Sequence, residues 1–290
     1  MPATMHGAPG SGRRSRRQRA AANEPGGALA GVAAQPHSEP RTVPSRTLVI
    51  IPAWNEDEAL PETLTELASI RPDLDVLVVS DGSTDRTAAV ARAAGASIVE
   101  LPFNLGIGGA LQTGFRYALR NDYDRAVQFD ADGQHDPREI AALLAGLDQG
   151  ADMVVGSRFG EGSVEYRVGP VRRAAMRLLR FSINAMTHQQ FSDTSSGFRA
   201  FDHSVLVLFA ASYPVEFMDS SESLLLACRA GMTVTETPTR IRERRAGTPS
   251  TRNFRLVYHY LRLVVTILSH VSPRTTNGAN NATMKKEPRT

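Results

Sequence analysis

Cysteine is nearly absent from this chain: Cys228 is the single one among 290 residues. One thiol can neither close an internal disulfide nor build a cysteine-based metal cluster, and its setting, LLLACRAG, reads as the buried face of a helix. Lysine is confined to Lys285 and Lys286. No run of about 20 uninterrupted apolar residues occurs, so no helix is expected to cross a bilayer. No apolar stretch follows the N-terminal arginines, so no secretory leader is expected either.

Charge of one sign is scarce only once the chain is divided. The net +3 comes from the ends: residues 1–46 hold seven Arg against two Glu, and residues 272–290 hold two Arg and two Lys against one Glu. Residues 47–271 keep 22 basic residues, all Arg, and 27 acidic ones. A nucleic-acid-binding core would carry a basic patch on the fold, so an acidic centre argues against nucleic acid as a partner.

Residues 1–46 are rich in Gly, Ala, Pro, Ser and Arg without hydrophobic period, and read as a disordered basic tail. Its run Arg13, Arg14, Arg16, Arg17 and Arg19 is either a solvated tail or a weak tether to anionic lipid, worth roughly 1 kcal/mol per charge. Residues 272–290 read as a second disordered tail. Between them the texture changes. TLVII, DVLVVS, ASIVEL, RAVQFD and ADMVVGS are short apolar runs suited to strands buried on both faces. Helical patterns separate them: Leu60, Leu64, Leu67 and Ile70; a stretch that Ser83 or Thr84 would cap; Leu111, Phe115 and Leu119; then Ile140, Leu143, Leu144 and Leu147 after Pro137. The alternation predicts an α/β fold, a mostly parallel sheet with helices on both faces. The second half is less regular, with an Arg-rich helix over 171–187, a helix over 220–230 and a strand in MTVTETP. In 251–271, Arg255, His259 and Arg262 share one face of an amphipathic helix fit to pack on the domain, on a small membrane-protein partner or in a membrane interface.

In such sheets ligands bind at the carboxyl ends of the strands. The polar clusters Asn55-Glu56, Asp81, Asn104-Gly106 and Asp130-Asp132 all follow strands directly, so they converge on one edge. In Phe129-Asp130-Ala131-Asp132-Gly133-Gln134-His135-Asp136, two carboxylates at i and i+2 offer oxygens suited to Mg²⁺ or Mn²⁺ shared with a diphosphate. Gln134 adds a neutral carbonyl. His135 is a further ligand or, more simply, a residue that supports the ligands from behind or packs beside them. The glycines after Asn104 open a helix, which allows either close approach of a diphosphate or ribose or just a tight turn.

PAWNE, SDGSTD, NLGIGGA, FDADGQHDP, VVGSRF, DTSSGFRAF and the pair Glu222 and Glu236-x-Pro238 stand in the order of a known family. Over residues 46–250 the chain resembles the family-2 glycosyltransferases of GT-A fold, in the polyprenyl-phosphate (dolichol-phosphate mannose synthase-like) branch. The resemblance implies a single nucleotide-binding domain over 47–250. Pro52, Ala53, Asn55 and Glu56 would line the nucleobase and ribose pocket, Asp81 would recognise the base, and Asn104 and Gly106 would lie by the donor. Asp130, Asp132 and Gln134 would hold Mg²⁺ or Mn²⁺. Arg158, Ser196, Arg199 and Arg173 would handle the acceptor phosphate or the sugar, and Arg244 would close over the donor. The family reads R-x-x-G-x-S-K there, whereas this chain has Arg244-Arg245-Ala246-Gly247-Thr248-Pro249-Ser250, with no Lys.

The implied reaction moves a sugar with inversion from a GDP- or UDP-sugar to a polyprenyl monophosphate. An anionic acceptor needs cations to aim it, not a base, and Arg158, Arg173, Arg177 and Arg199 are candidates. A hydroxyl acceptor would need a base, for which Glu222 and Asp219 are available. On this reading Asp132, Arg158, Arg199 and Glu222 are the catalytic set. A catalytically silent, partner-binding subunit is the remaining alternative. A cytoplasmic protein, peripheral at the membrane face and able to form a homo-oligomer, is expected.

Overall fold

The computed structural model describes residues 45–159, 170–214 and 219–242. The two expected tails, Arg244 and the expected helix over 251–271 lie outside the described residues, as do the side chains of 170–175, Arg173 among them.

Seven strands form one sheet: β1 (Thr47–Ala53), β2 (Asp75–Ser80), β3 (Ser97–Glu100), β4 (Arg125–Gln128), β5 (Met153–Ser157), β6 (Arg199–Phe201) and β7 (Val234–Pro238), in the order β3-β2-β1-β4-β6-β5-β7. β1 pairs in parallel with β2 and β4, and β5 with β7. β6 runs antiparallel between β4 and β5, with Gln128 and Val155 both opposite Arg199. The helices are α1 (Leu60–Ile70), α2 (Thr87–Ala93), α3 (Ile107–Arg120), α4 (Ile140–Asp148), α5 (Pro170–Thr187), α6 (His203–Ser212) and α7 (Asp219–Arg229).

The apolar alternation of β1 explains the layering. Leu48 and Ile50 face one core with Leu111, Phe115, Leu179, Val205 and Leu224, from α3, α5, α6 and α7. Val49 and Ile51 face the other, with Leu60, Leu64, Ala91, Ile140 and Leu143 from α1, α2 and α4. A strand buried on both sides must be apolar at every position, which is why TLVII carries no polar alternation. Phe115 anchors the first core, with ring centroids 5.2 Å from Phe201 and from Tyr213 and 5.6 Å from Phe209.

Several local expectations change. β6 and α6 were not visible as elements in the sequence: β6 is three residues long. Neither Ser83 nor Thr84 caps α2, which starts at Thr87; the Asp85 carboxylate accepts the Thr87 N–H instead (2.9 Å). Pro137 opens a short 3₁₀ turn, capped by Asp136, before α4 begins. Cys228 is only partly buried beside the first core, and desolvation pushes its thiol up to about 11.

α3 lies close enough to β1 that a side chain at Gly114 would run into Ile50. Gly114→Val is expected to lower unfolding free energy by about 1–3 kcal/mol through overpacking, read as a lower urea midpoint with unchanged m-value.

Candidate active site

Three loops at the carboxyl edge are tied to one another by side chains that accept backbone N–H groups. Asn55, in the left-handed region at φ 54°, accepts from Thr84 N at 2.8 Å and donates its own N–H to Ser83 Oγ. Glu56 N–H donates to Thr87 Oγ1 and Asp57 N–H to the Asp85 carboxylate. Asp81 N–H donates to Ala53 O at 2.8 Å. The Asp81 carboxylate is 3% exposed and accepts from Leu105 N at 2.7 Å, joining the third loop to the second. Burial raises its pKa, partly offset by the N–H groups of Leu105 and Gly106. Gly82 sits at φ +63° where a Cβ would lie 2.5 Å from Asn104 N, so only glycine lets these loops close. Asn104 Oδ1 accepts from Gly106 N at the start of α3. Pro52, Ala53, Asn55, Glu56, Asp81, Asn104 and Gly106 thus fall in one cluster, distant though they are in sequence.

β4 delivers the acidic turn. His135 is 3% exposed; its Nδ1 accepts from Asp130 N at 3.1 Å, which leaves the proton on Nε2, 3.4 Å from Asp130 Oδ2. The imidazole stacks on Phe198, with centroids 4.5 Å apart. It packs and orients Asp130. Asp132 is buried and its Oδ1 accepts from Gln134 N (3.0 Å) across Gly133, at φ 75°. A Cβ on Gly197 would lie 3.5 and 3.6 Å from the two Asp130 carboxylate oxygens, so the DTSSG loop lies directly beside that carboxylate.

Sequence reasoning missed two residues here. Gln128 is fully buried, and neither of its amide atoms has a hydrogen-bond partner among the described residues; its Nε2 would be 3.2 Å from a Gly197 Cβ. Polarity in an otherwise apolar strand was the signal. Arg242 is the second. Its guanidinium bonds both Glu66 oxygens (2.8 and 2.9 Å) and Asp136 (2.6 Å). Its backbone N–H donates to Gln134 O at 2.9 Å and its carbonyl accepts from Gln134 Nε2 at 3.4 Å. Burial pushes the Asp136 carboxyl up, but the N–H of Arg138 and the Arg242 guanidinium outweigh it and hold it below its ordinary value. No local spacing announces a clasp between residues this far apart.

The arginines expected to handle the acceptor phosphate or the sugar are held by neighbouring loops. Arg158 grips Asp193 through Nε (2.7 Å) and Nη2 (2.8 Å), and Nη2 also meets Ser195 Oγ (2.6 Å). Burial would raise the Asp193 carboxyl; the hydrogen bonds and charge of Arg158 prevail and hold it low. Glu236 accepts from Ser192 N and Asp193 N, and Ser157 Oγ meets Ser192 Oγ at 2.6 Å. Arg199 is completely buried, with Nε on Ser196 O and Nη1 on Ser223 Oγ, and Ser196 is buried beside it. In this geometry Arg158, Ser196 and Arg199 build the loop beside Asp130 rather than present donors to solvent. Glu222 is half-buried, bonded to no described residue, and burial raises its pKa.

The donor set fits a hard divalent cation. Asp130 is a partly exposed carboxylate whose one ion-pair partner among the described residues is His135. No group of three or more His, Cys, Asp or Glu is gathered for a metal among the described residues. Two carboxylates, with the remaining positions left to phosphate oxygens and water, suit Mg²⁺ or Mn²⁺ rather than a closed structural site.

Arg158→Gln is expected to cost about 3–5 kcal/mol, because it leaves the Asp193 charge buried without its cation. With Arg158 present, the Asp193 carboxyl titrates lower folded than unfolded, so its stabilisation holds above the unfolded pKa and is lost as pH falls through the folded one. The variant should therefore unfold at a higher pH in an acid titration followed by circular dichroism.

Residues 48–209 match the model of glycosyl transferase family 2. The chain is similar to polyprenol monophosphomannose synthase of Mycolicibacterium smegmatis, 35% identical over 72% of this chain and 83% of that protein. It is also similar to a UDP-N-acetylglucosamine–dolichyl-phosphate N-acetylglucosaminyltransferase of Methanococcus voltae, 28% identical over 66% of this chain and 83% of the relative. The fold is shared with glucosyl-3-phosphoglycerate synthase of Mycobacterium tuberculosis, solved with Mn²⁺ and UDP-glucose, at a TM-score of 0.60, 21% identity and 78% and 79% coverage of the two chains. With more than half its length matched and its acidic turn and interlocked loops on one sheet edge, the chain belongs to glycosyl transferase family 2.

Proposed function

We propose that the chain is a metal-dependent, inverting glycosyltransferase that moves a sugar from a nucleotide-sugar donor, GDP- or UDP-linked, to a polyprenyl monophosphate at the cytoplasmic face of a membrane. The observation that carries this reading is the placement of Asp130 and Asp132 on the rim where the Asn55, Asp81 and Asn104 loops meet. The lipid phosphates named for the relatives support the acceptor class. No helix among the described residues is long and apolar enough to cross a membrane, so the acceptor would be met at a surface.

When bound, Mg²⁺ or Mn²⁺ supplies charge neutralisation for the departing nucleoside diphosphate. Asp130 and Asp132 would hold it, with His135 fixing the Asp130 rotamer through Nε2. The interlocked loops orient the nucleoside, and the N–H groups opening α3 at Gly106 favour the anionic part of the donor. A polyprenyl phosphate oxygen is already anionic at neutral pH, so the acceptor must be bound and aimed but not deprotonated. One observation favours a second reading. Glu222, with its raised pKa and without a partner among the described residues, lies between Ser221, which donates to Thr194 O, and Ser223, which accepts from Arg199. A carboxylate so placed is a fit general base for a hydroxyl acceptor.

Radiolabelled nucleotide sugars, Mn²⁺ and polyprenyl phosphate in detergent, followed by organic extraction, test the proposal. Label is expected in the organic phase, and label that stays aqueous would defeat the lipid acceptor. Asp132→Asn should lower turnover about 100-fold or more and weaken Mn²⁺-dependent nucleotide binding in calorimetry. Glu222→Gln should leave transfer to lipid phosphate nearly unchanged; a large loss of kcat, with a lost acidic limb in the pH profile, would favour the hydroxyl reading.

A further inference from the structure

The turn that carries Asp132 and Gln134 is anchored at both ends to one helix. At its start, Thr63 Oγ1 of α1 donates to Ala131 O at 2.9 Å. At its end, Asp136 is joined to α1 through Arg242, whose guanidinium bonds Asp136 on one side (2.6 Å) and both oxygens of Glu66 on the other (2.8 and 2.9 Å). Thr63 and Glu66 stand at i and i+3, on one face of α1. The side chains of Arg242, Glu66 and Asp136 are 27%, 21% and 16% exposed, so water screens them less than an ordinary surface pair. Arg138 meets the same Asp136 at 3.4 Å, but it is 67% exposed.

The backbone of Arg242 holds the middle of the turn. Beyond β7 the Thr239 N–H donates to Ser157 O, and the chain then crosses to the acidic turn through an isolated antiparallel bridge between Ile241 and His135. There the Arg242 N–H donates to Gln134 O, and Arg242 O accepts from Gln134 Nε2 at 3.4 Å. A carboxamide has one donor end and one acceptor end. With Nε2 committed to Arg242 O, Oε1 is the end left for a cation. The Gln134 N–H in turn donates to Asp132 Oδ1, so the placement of both residues depends on where Arg242 stands. We propose that Arg242 is a positioning residue for divalent-cation binding. Its side chain straps the end of the acidic turn to α1, and its backbone turns Gln134 so that Gln134 and Asp132 present oxygens together. The proposal rests on the metal-dependent reading above. Charge alone predicts the opposite sign, since removing a guanidinium would strengthen the pull of the neighbouring acids on a cation. Lysine separates the two effects, because it keeps the charge and loses the planar fork that spans Glu66 and Asp136.

Mn²⁺ binding to the full chain is measured with GDP or UDP present, from the electron paramagnetic resonance signal of free Mn²⁺, beside a urea midpoint for each variant. The Mn²⁺ dissociation constant is expected to rise about tenfold in Arg242→Met and at least about threefold in Arg242→Lys. Nucleotide binding without metal should stay unchanged in both, because the Asn55, Asp81 and Asn104 loops are held by other bonds. A lowered urea midpoint with an unchanged Mn²⁺ constant would make the clasp purely structural and overturn the proposal. Tighter Mn²⁺ binding in Arg242→Met, or a lysine variant that binds like the parent, would make Arg242 a charge that tunes the site, and would overturn it too. Should Arg242→Met fail to fold, the lysine variant decides alone. A parent chain that binds Mn²⁺ while neither variant differs from it defeats the positioning role and leaves the metal-dependent reading standing. A parent chain that binds no Mn²⁺ with either nucleotide defeats both.

Discussion

A carboxylate removed from water must be met by N–H donors, and this requirement organises the carboxyl edge of the sheet. Asp81 takes the Leu105 amide, Asp132 that of Gln134, and Glu236 those of Ser192 and Asp193, while the exposed Asp85 takes those of Asp57 and Thr87. Each bond joins a side chain to backbone a few residues or a whole loop away. The loops have no sheet or helix to hold them, so these acceptors set their shape. Asp193 extends the same logic to a full ion pair, and the Arg158 guanidinium lets it stay charged where almost no water reaches it. The loops are thus tied to one another by these acceptors, an arrangement suited to binding through preorganised groups.

The antiparallel insertion of β6 is the other organising feature. A fully parallel sheet would set β5 beside β4. Here β6 intervenes, and the chain entering it runs along the edge from the opposite direction. That brings Gly197 against Asp130, Phe198 under the His135 ring and Arg199 opposite Gln128. Two halves of the sequence, one regular and one not, therefore meet at the acidic turn.

The regular half was legible because buried parallel strands write themselves as short apolar runs and their loops as polar clusters. TLVII and DVLVVS needed no partner to be recognised, and the convergence of Asn55, Asp81, Asn104 and Asp130 followed from topology. β6 was not legible: three residues, one of them arginine, give no period to read. Arg199 and Arg158 were expected at the acceptor phosphate or the sugar because they stand in the SGFR and GSR motifs; their bonds to Ser223 and Asp193, at separations of 24 and 35 residues, are encoded by no local pattern. The same holds for Arg242, whose partners Glu66 and Gln134 lie 176 and 108 residues away. Cap assignments failed at Ser83 and Thr84 because the neighbouring Asn55 loop claims both.

Gly197 has a further consequence. Its missing methyl leaves the flank of the Asp130 carboxylate bare, with both oxygens within van der Waals reach of where that methyl would stand. Alanine there would need only a slight retreat of the Gln128 amide to fit. It would nevertheless sheathe one side of the acid in hydrocarbon and narrow the angles from which solvent can approach it. The smallest possible change at this position would thus act as a partial shutter on the acid, with the polypeptide path essentially intact.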